Sequence, residues 1–241
     1  MEIINISELD LKNSFFHFDA RSLEYIKEYG FTPDIGPDSK NAEETPKVFF
    51  SKGIDGVLDI IDVWLIWRMN KDHVDSNQWI KEFLSESYLF DEEKKNITFN
   101  NMYTWLSERK YYKVDLEEGI DYKIDDIDEA KSSAIQNKKN CEKSGEHPWR
   151  YLFAMQMYKG KIKNFNDKME QWNMHTVSNK GISADKISLI ETNDGKNDAL
   201  SVILNLYDIN HNSGYRLLDE FIAFCKVKNM NHAENATNKI R

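Results

Sequence analysis

The sequence predicts an α+β fold, built from small split β-sheets that form a cleft and carry a large helical elaboration. Three observations predict it. Two β-rich runs, Phe15-Phe16-His17-Phe18 and Lys47-Val48-Phe49-Phe50-Ser51, flank an amphipathic helical stretch closed by Gly30. A third β-rich run, Lys186-Ile187-Ser188-Leu189-Ile190-Glu191, lies far downstream and is followed by two amphipathic stripes. Between these ends the patterning is mostly helical, so strands and helices are segregated rather than alternating.

Residues 14–18 and 47–50 read as short buried strands, rich in Phe and Val and bounded by polar residues. Asp19 or Ser22 can cap a helix that runs to Glu28 and stops at Gly30. The stretch from Thr32 to Ser39 holds two prolines and a glycine and predicts a surface loop. From Val57 to Trp67 apolar residues fall on nearly all sides of a helix, which predicts a central core helix. Asp59 and Asp62 then need solvent or partners. Further helices are expected where Ser76 precedes Trp79, Phe83 and Leu84, and where Asn100 precedes Met102, Tyr103 and Leu106. Residues 110–116 read as a strand. The acids from Asp121 to Glu129 lead into a polar helix, Pro148 opens an aromatic and Met-rich helix from Trp149 to Tyr158, and Met169 to Trp172 closes a short one. Residues 173–177 and 186–191 read as strands. The turn Asn193-Asp194-Gly195 releases two final helices, striped by Leu200, Ile203, Leu204 and Tyr207 and by Leu217, Leu218, Phe221 and Cys225.

With 40% apolar residues in 241, and no segment of linker composition, one domain over 1–227 is expected. It carries a helical insertion at about 70–170. Residues 228–241 lack apolar periodicity and are expected to be a flexible tail. The net charge of −9 with interleaved signs gives no general attraction for nucleic acid. The lysine groups 138, 139, 143 and 159, 161, 163 read as solvated faces. Cys141 and Cys225 have no metal or disulfide spacing. Residues 1–12 have no apolar signal core, and the longest apolar run is broken by Asp59 and Asp62, so the expectation is a cytoplasmic protein without a membrane span.

Dinucleotide-binding glycine motifs, the P-loop, the Gly-x-Ser-x-Gly elbow and His-Glu-x-x-His are all absent from the sequence. The acids from Asp121 to Glu129 lack calcium-loop spacing, and no metal is expected. Three polar residues interrupt apolar runs. His17 faces away from Phe16 and Phe18 if its run is a strand, and either is satisfied in the core or lines a cleft. Ser51 ends its strand or caps the next helix. His175, in Trp172-Asn173-Met174-His175-Thr176, is a poor strand former at a site or a hydrogen-bonded corner. All three are expected to converge on one concave site.

These runs together resemble the ADP-ribosyltransferase-like superfamily, which includes mono-ADP-ribosyltransferases and RNA 2′-phosphotransferases. Phe16-His17-Phe18-Asp19 is similar to its histidine-bearing first strand, Tyr29-Gly30-Phe31-Thr32-Pro33 to the turn that follows, and Val48-Phe49-Phe50-Ser51 to its second strand. Ile182 to Ile190 is similar to its late strand. The chain also resembles a group of low-GC bacterial proteins that share the Val-Phe-Phe-Ser and Trp-Asn-Met-His runs. The resemblance implies a split pair of small sheets clasping NAD, with NAD as substrate of a group transfer. His17 would hold a ribose hydroxyl, Ser51 would order the cleft, and Arg21 would meet a phosphate. Glu170 or His175 would act on the departing or attacking group. The sequence departs from the family in having Phe18-Asp19 where Gly-Thr is usual. It also lacks a glutamate just before the late strand, where an oxocarbenium-like centre needs a carboxylate. The alternative is an inactive scaffold that binds a protein partner through Trp79, Tyr88, Trp105, Tyr111 and Tyr112.

Overall fold

Strand β2 (Phe15–Asp19) alternates side chains between the two faces of a sheet, and both faces are covered. The computed structural model describes residues 1–33, 48–69, 92–117, 119–121, 176–178, 181–209 and 217–238. The strands are β1 (Glu2–Asn5), β2, β3 (Val48–Lys52), β4 (Lys110–Val114), β5 (Thr176–Ser178) and β6 (Ile187–Glu191). They form one mixed sheet in the order β1-β6-β4-β2-β3-β5. Among the described residues only β1 and β6 pair in parallel.

The α+β class stands, but the expected split into two small sheets does not. The joint is β4, which pairs with β2 through five residues and with β6 through three. Neighbouring Tyr111 and Tyr112 give β4 a large buried ring on each face, so it fits the middle of a covered sheet. The segment 70–170 is therefore more than an insertion, since it supplies a central strand. The helices expected near residues 76–84, 129–138, 149–158 and 169–172, and both lysine groups, lie outside the described residues.

One face of the sheet carries α2 (Gly53–Met69), α3 (Glu92–Ser107), α4 (Ala199–Ile209) and α5 (Leu218–Asn238). Phe16, Tyr111 and Ile190 enter this core from the sheet, against Leu58, Ile61, Leu65, Met102, Leu206 and Phe221. The opposite face holds Phe15, Tyr112 and Leu189, covered by Ile26 of α1 (Leu23–Tyr29) together with Phe31 and Ile182. Among the described residues no helix is long and apolar enough to cross a membrane.

Helix α1 begins where the Ser22 side chain accepts from the Tyr25 backbone N–H, and ends at Gly30, which has a φ of +67°. A β-carbon at Gly30 would lie 1.9 Å from the Ile182 carbonyl oxygen. The next residue, Phe31, exchanges both backbone hydrogen bonds with Ile182, at 2.9 and 2.8 Å. Glycine is required there because two backbones meet.

Helix α2 is the expected core helix, with Val57, Leu58, Ile61 and Leu65 fully buried. Asp62 finds its partners across the chain: its buried carboxylate accepts from the backbone N–H groups of Leu217 and Leu218, at 2.9 and 2.8 Å, where α5 starts. The first N–H groups of α2 itself go to the carbonyls of Ser14 and Leu11, so Ser51 is not needed as a cap.

Two boundaries differ from expectation. Helix α3 starts at Glu92, well before Asn100, because Lys95, Thr98 and Phe99 are already buried at helical spacing. The Lys95 ammonium is held by Glu92 at 2.6 Å and Glu220 at 2.7 Å, which lets a charged residue occupy an inward position. Helix α5 continues through Asn238, so residues 228–238 are helical rather than a frayed tail. Its distal part has polar anchors that apolar periodicity does not reveal. Lys228 donates to the Asn100 side chain at 2.6 Å and covers the Tyr103 ring, while Tyr103 donates to Asn229 at 2.7 Å.

Two measurements check this packing. Leu58→Asp or Ile61→Asp places an unpaired charge in the core, costs about 3–5 kcal/mol and should unfold the protein. A soluble variant with native near-ultraviolet dichroism would be inconsistent with it. Truncation after Val227 should lower Tm by about 2–4 °C, corresponding to about 1 kcal/mol from the lost anchors. An unchanged Tm would mean that these anchors contribute nothing.

Candidate functional site

The side chains of Phe15, His17 and Asp19 share the face of β2 opposite the helical layer, since strand side chains repeat every second residue. Phe16 and Phe18 point the other way, and Phe18 packs edge-on against Trp64 and Trp105. The His17 imidazole is part-buried between two rings, 4.5 Å from the Phe31 centroid and 5.6 Å from that of Phe50. Its Nε2 lies 3.4 Å from Asp19 Oδ2.

Asp19 is the hub of the cluster. Its Oδ1 accepts from the Arg21 backbone N–H at 2.7 Å and from Arg21 Nε at 3.0 Å, and its Oδ2 accepts from Arg21 Nη2 at 2.5 Å. Arg21 Nη1 donates to Thr32 Oγ1 at 2.6 Å. The guanidinium also lies over the rings of Tyr25 and Phe31, at 5.4 and 5.9 Å. Burial works against the Asp19 charge. The hydrogen bonds from His17 and from the Arg21 side chain and backbone outweigh it, and hold Asp19 well below the usual carboxylate range. For Arg21, hydrogen bonding to Asp19 exceeds the effect of burial and strengthens the charged form.

The opposite-strand partner of His17 is Tyr112 on β4, so its side chain emerges on the same face. Phe31 bridges the two, at 5.4 Å from the Tyr112 ring. Burial pushes the Tyr112 phenol well above its ordinary value, and the nearby Asp19 charge adds to this. The phenol is therefore a neutral donor.

The structure brings together His17 and Arg21 of the expected residues, but gives Arg21 a different role. The edge of its guanidinium that would grip a phosphate is occupied by Asp19, so it acts as a latch between β2, α1 and Thr32. Ser51 is separated from both. It pairs with Phe16 across β2 and β3 and so faces the helical layer, buried, while Phe50 faces His17. Convergence of His17 with Ser51 is thus excluded by the pleat. Glu170 and His175 lie outside the described residues. Thr176, which follows His175, is the register partner of Phe50 on β3.

The aromatic partner surface is not available as expected either. Tyr111 and Tyr112 are fully buried, Trp105 packs against the core, and Trp79 and Tyr88 lie outside the described residues. Among other reactive groups, burial pushes the Cys225 thiol up to about 12, which keeps it protonated. Asp19, Thr32 and Tyr112 were not singled out from sequence as members of the site. Asp19 carried a usable signal, because it lies two residues from His17 and therefore on its face. Tyr112 carried none, because only the β2–β4 register brings it there.

The chemistry of this arrangement is a hydrogen-bonding imidazole, backed by an anionic carboxylate and walled by aromatic rings. Because the Asp19 pKa is depressed on folding, its contribution is complete above about pH 4 and is lost as pH falls toward the folded-state value. Asp19→Asn should therefore lower stability by about 1.5–3 kcal/mol at pH 7. The gap from wild type should close on acidification below pH 4, as followed by denaturant melts. A gap independent of pH would mean that the native carboxyl carries no charge. Comparison of the chain with protein-family models, with curated proteins and with solved structures finds no match.

Proposed function

We propose that this chain binds a nucleotide of the NAD class against the His17 end of β2 and transfers a group from it. The observation that carries this reading is the His17 imidazole, part-buried between Phe31 and Phe50 with the Asp19 carboxylate behind it. An imidazole so held can form a directional hydrogen bond to a ribose hydroxyl. Flanking rings offer apolar area to a planar base without a large entropy cost. The Asp19–Arg21 pair sets the environment of His17 and does not itself grip the phosphates.

Group transfer at this site would break the bond between the ribose C1′ and the nicotinamide nitrogen, with the bonding pair leaving on nicotinamide. An acceptor oxygen or nitrogen would form the new bond to C1′ and lose its proton to a base. Glu170 and His175 are the residues assigned to that end of the reaction. A binding protein without chemistry would hold NAD in the same way but release no nicotinamide.

The test is thermal shift with NAD and with ADP-ribose. At 100 times the dissociation constant, either should add about 2.7 kcal/mol of stability. His17→Ala should abolish most of the shift while the protein remains folded. No shift with either nucleotide would overturn the reading, and binding without nicotinamide release would reduce it to the binding form.

A further inference from the structure

The Tyr112 hydroxyl has no hydrogen-bond partner among the described residues, although the side chain is fully buried. Such an orphan destabilises a fold, and phenylalanine would fill the same space without that penalty. Packing alone therefore does not account for a tyrosine here. Its neighbour Tyr111 faces the helical core, while Tyr112 faces His17 across the β2–β4 ladder and shares the Phe31 ring with it. Besides burial, the charges that act on the phenol belong to Asp19, Arg21 and Glu24, so it senses the turn between β2 and α1.

We propose that the Tyr112 hydroxyl is a further binding group of this site and donates a hydrogen bond to a ribose hydroxyl of the nucleotide. The inference rests on the nucleotide reading and narrows which part of the ligand is met here. The Asp19 and Arg21 charges already satisfy each other next to this position. A phosphate would find that guanidinium edge engaged by Asp19. A neutral hydroxyl needs no countercharge and can accept from the phenol. His17 and Tyr112, side by side on adjacent strands, then provide two fixed polar contacts to one sugar.

The experiment measures NAD binding by calorimetry and the Tm of the unliganded protein, for wild type and Tyr112→Phe. The expected result is about tenfold weaker binding by Tyr112→Phe, with an unliganded Tm equal to or above that of wild type. Unchanged affinity overturns the proposal. So does a lowered unliganded Tm, because the hydroxyl would then be satisfied within the protein itself. Inorganic diphosphate as competitor separates the two parts of the ligand, and it should compete equally well against NAD on both proteins. Competition weakened selectively in Tyr112→Phe would assign the hydroxyl to the phosphates and overturn the ribose contact. Failure of wild type to bind NAD overturns the nucleotide reading and this role together, whereas binding by wild type with equal binding by the variant overturns this role alone.

Discussion

The pleat of β2 is the constraint on which the rest of the structure depends. Five residues alternate between two faces, and each set has a different task. Phe16 and Phe18 enter the helical core, where Phe18 meets Trp64, Trp105 and Tyr111. Phe15, His17 and Asp19 enter the smaller core under α1. A shift of register by one residue would turn His17 and Asp19 into the helical core and move Phe16 and Phe18 onto the face that holds Arg21 and Tyr112. The strand is thus pinned by hydrophobic burial on one face and by charge on the other.

Two buried carboxylates show how the fold handles charge. Asp62 accepts from two backbone N–H groups at the start of α5, where the helix dipole also favours an anion. It ties α2 to a helix more than 150 residues away and has an architectural role. Asp19 is held by two side chains, a guanidinium and an imidazole, together with the Arg21 backbone N–H. Side chains can exchange partners when a ligand arrives, and backbone at a helix start cannot do so without unwinding.

The return of the chain to this site depends on a close backbone contact. Gly30 and Gly181 flank the bridge between Phe31 and Ile182, and a β-carbon on Gly181 would lie 3.1 Å from the Phe31 carbonyl oxygen. That approach carries Phe31 over His17 and Tyr112 and positions Thr32 to meet Arg21. The aromatic wall is therefore built by a segment late in the sequence clamping an early one.

The sequence by itself determined the local elements whose apolar period is unambiguous: β2 from its phenylalanines, α1 from Ser22 and Gly30, α2 from its all-round apolar pattern, and β6 with the two helices after it. It also determined that His17 stands apart from Phe16 and Phe18, because a strand allows nothing else. Helix α3 was found too late in the chain and α5 ended too early, because their outer turns are held by Lys95, Lys228 and Asn229, polar residues that carry no periodic signal. Only the tertiary structure decided that β4 joins the strands into one sheet, that Ser51 faces away from His17, that Asp19 occupies Arg21, and that Tyr112 stands beside His17. Each of these is a matter of register or of partners distant in sequence. Side-chain period fixes which residues share a face of one strand, and strand pairing alone fixes which faces meet.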